Sequence, residues 1–267
     1  MNYKLAKALT VIIGGFLVVS AVIYYVNNGF AMPEPVEHAY QKAPKQVTWS
    51  FDGAFGTFDK ASVQRGYQVY KEVCASCHSM KLISFRDLKD IGLSDAEVKA
   101  IAATYTYKTI GDDGSIIDRP GTPNDKFPSP FDNKQAAAAA NGGAVPPDLS
   151  LMIKAREDGA NYVYSLLTGY GQTPPADLDL GGKSYNPYFP NYLLSMAAPL
   201  QADQVTYQDG TKATLDQEAR DVVNFLQWAA EPEMEQRKRM GTKAIIFLAV
   251  MTVFFYVAKV RVWAKVK

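Results

Sequence analysis

The fold class predicted for this chain is all-α: short helices joined by long proline-rich loops, with a C-terminal transmembrane helix and an N-terminal apolar segment. Three observations predict it. Apolar residues recur every three to four positions beside capping residues, and no strong apolar–polar alternation marks a strand. Eleven of the fifteen prolines lie between positions 120 and 199. Two uncharged apolar runs, residues 8–26 and 244–258, stand near the ends. Three parts follow: an apolar segment over 1–31, a polar domain over 32–236, and an anchor with a short basic tail over 237–267.

The first helix is predicted over residues 59–77, because Val63, Tyr67, Tyr70, Val73 and Cys77 share a face and Asp59 can cap it. Ser94-Asp95-Ala96-Glu97 is a capping box with Leu93 and Val98 as its staple, opening a helix that ends at Thr104. Asp112-Asp113-Gly114 is a turn. Short helices are expected at 136–140, stopped by Asn141-Gly142-Gly143, from an Asp148 cap through Arg156, and over 161–168, ended by Gly169. Thr214-Leu215-Asp216-Gln217 opens a further helix with Val222, Leu226 and Ala229 on one face, and Pro232 stops it.

Charge divides the chain. The net +1 conceals 18 Lys and Arg against 25 Asp and Glu over residues 30–232, a net of −7, while the ends carry the positive excess. This pattern suits an acidic domain held at a membrane and facing a basic partner, and gives no basic patch for nucleic acid. The first run covers roughly 28 Å at ~1.5 Å per residue, enough for a bilayer core. Lys4 and Lys7 before it place its far end outside the cytoplasm. It is either a cleaved signal peptide, with Gly29-Phe30-Ala31 as a small-x-small site, or a retained anchor. Basic residues flank the second run on both sides, so charge alone does not orient it.

The chemistry lies in Cys74-Ala-Ser-Cys77-His78, which contains both cysteines of the chain. This spelling is the attachment site of a c-type haem. Two thiols at this spacing can each add to a haem vinyl group, and the adjoining imidazole can bind the iron. A zinc ribbon would need a second ligand pair, and a redox dithiol has no need of the histidine. Attachment outside the cytoplasm then puts the C-terminus inside. Short helices and stiff loops suit a domain whose core is partly porphyrin.

His78 is the proximal iron ligand on this reading, and its second ring nitrogen needs an acceptor. His38, the only other histidine, lies in a polar linker. For the opposite face a thioether is expected. Met80 is too near His78, and Met32, Met234, Met240 and Met251 sit in or beside the anchors. Met196, in a loop bracketed by Pro190 and Pro199, is the leading candidate and Met152 the second. A haem enzyme of peroxidase type, with an open distal site, is the alternative function.

These residues resemble the cytochrome c1 family, haem subunits of the cytochrome bc1 complex. The likeness is carried by Arg65-Gly66-Tyr67-Gln68-Val69-Tyr70, by Cys77-His78-Ser79-Met80, and by Arg119-Pro120-Gly121. It continues in Pro146-Pro147-Asp148-Leu149-Ser150, Asn186-Pro187-Tyr188-Phe189-Pro190, Trp228-Ala229-Ala230-Glu231-Pro232 and Arg237-Lys238-Arg239-Met240-Gly241. The resemblance implies a cytochrome c-like haem domain with one haem c on Cys74 and Cys77. It implies His78 and Met196 as axial ligands, Arg119 on a propionate and the Pro147 carbonyl on the His78 ring. It also implies electron transfer from a Rieske iron–sulfur protein to a soluble or anchored c-type cytochrome, beside cytochrome b and membrane lipid, in a dimeric complex. The location implied is a bacterial inner membrane with the haem domain in the periplasm, or the inner mitochondrial membrane. Two places depart from the family pattern: Met196-Ala-Ala-Pro in place of Met-x-Pro-Pro, and Lys126 where relatives can carry tyrosine.

Overall fold

The computed structural model describes residues 14–15, 18–20 and 41–264. The five described residues of the first apolar run are helical. The rest of that run, with Met32 and His38, lies outside the described residues.

Helix α1 (Lys60–Glu72) starts where Asp59 accepts hydrogen bonds from the Ala61 and Ser62 amides. It ends earlier than the apolar spacing predicts. The chain tightens into a 3-10 turn, Cys74–Ser76, and a second 3-10 turn follows at Phe85–Lys89. Helix α2 (Asp95–Ala103) carries the Ser94–Glu97 box with both halves made.

Two strands then appear that the sequence does not announce. Strands β1 (Thr106–Ile110) and β2 (Ile116–Pro120) pair antiparallel around the predicted turn, with Ile110 opposite Ile116. Neither strand has a buried residue, so no buried face imposes alternation on the sequence. Helix α3 (Lys134–Ala140) is capped by Asn133, and α4 (Gly159–Leu167) follows. The stretch expected to be helical after Asp148 is instead a series of turns, although the Asp148 carboxylate does accept the Ser150 amide as a cap would. Strands β3 (Ser184–Tyr185) and β4 (Leu193–Leu194) form a second small ladder. Helices α5 (Leu215–Ala230) and α6 (Met234–Trp263) complete the described chain, separated by Pro232.

The core is the crossing of α1 and α5. Val63, Val69, Val222, Val223 and Phe225 are sealed from solvent there. The backbones meet at Gly66, where an added Cβ would lie 1.9 Å from the Asp221 carbonyl oxygen. Beside it the buried Asp221 carboxylate takes Arg65 Nε at 2.9 Å, Ser62 Oγ at 2.6 Å and Gln217 Nε2 at 3.0 Å. A buried carboxylate needs such partners, and removing one from a buried ion pair costs about 3–5 kcal/mol. Aromatic rings extend the core from Phe225 through Tyr67 and Tyr70 to Phe127 and Phe85.

Helix α6 has 30 residues, or about 45 Å at ~1.5 Å per residue. It is long and apolar enough to cross a membrane, and its most apolar stretch buries nothing against the protein. Its first turns are tied to the domain: Lys238 Nζ donates to the Phe51 and Gly56 carbonyls, and the Glu235 carboxylate accepts from the Phe58 amide.

Candidate functional site

The attachment motif sits where α1 runs out. The Cys74 carbonyl accepts both the Cys77 amide at 3.1 Å and the His78 amide at 2.9 Å. This folds the five residues into one tight turn, with the two cysteines a turn apart and His78 beside the second. Both thiols are free and half-buried, and burial pushes the Cys74 thiol up to about 12. Among the described residues no three His, Cys, Asp or Glu side chains converge to hold a metal without a porphyrin.

His78 Nδ1 lies 2.8 Å from the Pro147 carbonyl oxygen. That oxygen can only accept, so the proton is on Nδ1 and the Nε2 lone pair is left for a metal. Burial lowers the His78 pKa, against the Pro147 carbonyl and the Asp148 charge, which favours the neutral ring that a ligand must be.

A strap holds this pair. Leu149 N donates to the Ser79 carbonyl at 2.8 Å, and Leu82 N to Ser150 Oγ at 3.1 Å. Asp148 Oδ2 accepts from Ser79 Oγ at 2.7 Å and from Lys81 N at 3.0 Å, while Oδ1 takes the Ser150 amide at 2.9 Å. Burial pushes the Asp148 pKa up, but these hydrogen bonds, led by Ser150 and Ser79, outweigh it and leave the pKa lowered. Reading Asp148 as a helix cap missed this; a short acceptor beside two prolines was the available signal.

Met196 lies half-buried in the loop after β4, its carbonyl accepting from Tyr170 Oη at 3.1 Å. The loop is fixed from behind by Asn186, which is wholly buried. Asn186 Nδ2 donates to the Leu166 carbonyl at the end of α4, its Oδ1 accepts from the Tyr188 amide, and its own amide bonds the Tyr192 carbonyl. Asn191 and Tyr192 take left-handed backbone conformations, φ 65° and 62°, to turn the chain into β4. Such residues cost of order 1–3 kcal/mol each and persist where packing dictates them; here the Tyr192 ring is buried. Met152 also is half-buried, but it packs against the hydrophobic core.

Arg119, on β2, is held as a fork. Its two terminal nitrogens each lie 2.6 Å from an Asp125 oxygen, and one also donates to the Pro120 carbonyl. The guanidinium stands over the Tyr107 ring. Nε–H and one terminal N–H remain for another acceptor. Arg119 first, then the Thr122 amide and hydroxyl, hold the Asp125 carboxyl well below the usual range. Lys126 turns to the Leu82 carbonyl at 2.7 Å.

The lowered carboxylates give a testable acid dependence. A carboxyl whose folded pKa is depressed contributes stability that is complete above the unfolded value of about 4 and is lost as pH falls through the folded value. The Asp125 contribution to stability should therefore hold from neutral pH to about 4 and be lost as pH falls further. Asp125→Asn should melt lower at neutral pH but show a shallower acid decline, measured by circular dichroism. An unchanged acid slope would remove Asp125 from the account.

The donor set fits a covalently held haem: two thiols on one turn and a neutral imidazole with its proton turned away. Comparison with known proteins agrees. A model of the Cytochrome C1 family matches residues 49–266. Cytochrome c1 of Rhodospirillum rubrum is 47% identical over 236 residues, covering 82% of this chain and 87% of that protein. The mitochondrial "Cytochrome c1, heme protein" of Saccharomyces cerevisiae is 48% identical over 221 residues, covering 82% and 72%. The "Cytochrome b-c1 complex catalytic subunit" of Candida albicans is 46% identical over 226 residues, covering 84% and 78%. Proteins of this family carry covalently bound haem c, and both cysteines that such a bond needs are present at 74 and 77. A family model covering four-fifths of the sequence, with relatives this similar on both sides of the bacterial–mitochondrial divide, leaves one conclusion: the chain belongs to the cytochrome c1 family.

Proposed function

We propose that this protein is the membrane-anchored electron carrier of a cytochrome bc1 complex, taking one electron at a time from a Rieske iron–sulfur protein and giving it to a c-type cytochrome. The haem supplies the one-electron couple. Cys74 and Cys77 would hold it by thioether bonds, His78 and Met196 would be its iron ligands, and the remaining N–H groups of Arg119 would serve a propionate. Held by two protein ligands, the iron would serve electron transfer rather than substrate chemistry, and quinol oxidation would belong to the complex that includes cytochrome b. Helix α6 anchors the domain beside that subunit and membrane lipid, with the haem domain on the periplasmic or equivalent side and the complex dimeric.

The single observation that carries this reading is the His78–Pro147 hydrogen bond on the attachment turn. It fixes the tautomer and strengthens the ring as a donor, the usual outer support of a metal-bound imidazole.

The domain's net charge of −7 over residues 30–232 should steer a basic partner. Stopped-flow transfer from the reduced complex to a basic soluble c-type cytochrome should slow by about tenfold or more as salt rises from ~10 mM to ~150 mM. A rate indifferent to salt would remove electrostatic steering, and absence of transfer would remove the proposed role.

A further inference from the structure

We propose that Asp148 is a positioning residue for the iron ligand: by clamping the chain that carries Pro147 to the chain that follows His78, it sets the hydrogen bond on the imidazole and through it the reduction potential. This rests on the reading of His78 as a ligand.

The geometry is a ladder between two stretches 69 residues apart. His78 Nδ1–H to the Pro147 oxygen is its first rung. The next rungs are Ser79 Oγ and Lys81 N to Asp148 Oδ2, the Leu149 amide to the Ser79 carbonyl, and the Leu82 amide to Ser150 Oγ. Asp148 directly follows the residue that supplies the first acceptor, and Ser79 directly follows the residue that supplies the donor. Clamping 148 to 79 therefore fixes 147 against 78. The inner faces of this ladder are shielded: Ser150 is 1% exposed and Leu149 is 8% exposed. Pro147 has no amide of its own with which to hold its peptide in place. The adjacent carboxylate, with three donors aimed at it, performs that task.

The direction of the effect follows from ligand chemistry. A short bond from Nδ1–H to a carbonyl raises the donor strength of Nε2, which favours ferric iron. A loosened rung weakens that push and raises the potential. Loss of the Asp148 charge acts in the same direction, so charge and position must be separated. Ser79→Ala separates them: it removes one hydrogen bond from Asp148 and leaves the carboxylate charged.

The experiment uses the full chain with its haem, as wild type, Asp148→Asn, Ser79→Ala, and Thr214→Ala as a control. Thr214 caps α5 and takes no part in the ladder. Two quantities are read: the midpoint potential, and the solvent exchange of the paramagnetically shifted His78 ring N–H by NMR. Asp148→Asn should move the ferrous–ferric equilibrium toward ferrous by about threefold to tenfold, tenfold being about 59 mV for one electron. Ser79→Ala should move it the same way by less, and both should speed ring N–H exchange several-fold. Thr214→Ala should change neither, although it lowers the melting temperature. Wild-type exchange in both ladder variants overturns the proposal, even if the potential of Asp148→Asn moves through charge alone. If Asp148→Asn does not retain haem, Ser79→Ala alone decides between these outcomes. A wild-type protein whose histidine ring N–H shows no paramagnetic shift would instead sink the assignment of His78 as ligand.

Discussion

Gly66→Ala should lower the stability of the haem-loaded domain by at least about 3 kcal/mol, a large share of the ~5–15 kcal/mol that holds a typical domain together. At an exposed helical position the same change would stabilise by about 0.5–1 kcal/mol, because alanine is the better helix former. The reversal comes from α5. A methyl group at 66 would lie 1.9 Å from the Asp221 carbonyl oxygen, 2.5 Å from its carbon and 2.8 Å from the Phe225 Cβ. Two of these are backbone atoms in the middle of a helix, so neither can swing aside. The helices would have to separate, and separation breaks the Arg65–Asp221 pair that lies alongside. The damage should also reach the site, since α1 leads directly into the attachment turn. Gly241→Ala is the control, for nothing lies within 4 Å of a Cβ there. Urea unfolding followed by circular dichroism would measure both. If the two variants unfold alike, the close crossing is not what holds α1 in place.

Met196→Leu should abolish the far-red absorption band of a methionine–iron bond and lower the midpoint potential, by about a hundredfold or more in the ferrous–ferric equilibrium, each tenfold being about 59 mV. The thioether is a soft donor that favours ferrous iron, and leucine offers no lone pair. The swap nearly conserves volume, so the fold should lose less than about 1.5 kcal/mol. The loop itself is held by backbone and by Asn186, and the Tyr170 bond goes to the Met196 carbonyl, not to its side chain. Met152→Leu should leave the spectrum and potential as they are, since Met152 packs on the core. The opposite result, with the band lost in Met152→Leu and kept in Met196→Leu, would transfer the ligand to position 152.

Several elements were legible because their causes are local. The caps at Asp59, Ser94 and Thr214 lie within four residues of the amides they serve. The alanine run is helical and its stop at Asn141 is visible in the sequence. Length and the lack of charge suffice for α6. The errors have a common origin. The hairpin of β1 and β2 buries no residue, so it leaves no periodic trace. After Asp148 the cap is made, with Oδ1 on the Ser150 amide, but only turns follow it, and the second oxygen is tied to Ser79 and Lys81 across the fold. The 3-10 ending of α1 was hidden because its apolar spacing continues through Cys77.

The sequence alone determined the attachment chemistry, the acidic middle, the apolar ends and most helices, since each is written in neighbouring residues. Tertiary structure decided the rest. Arg65 and Asp221 are 156 residues apart, His78 and Pro147 are 69 apart, and Leu166 and Asn186 are 20 apart. In the sequence Pro147 is indicated by family resemblance, not by spacing; Asp148 reads only as a helix cap, and Asn186 has no role assigned. The physical reason is that a hydrogen bond across a long loop forms only when the whole chain has already met the entropy of closing it. No local pattern records which acceptor will be waiting there.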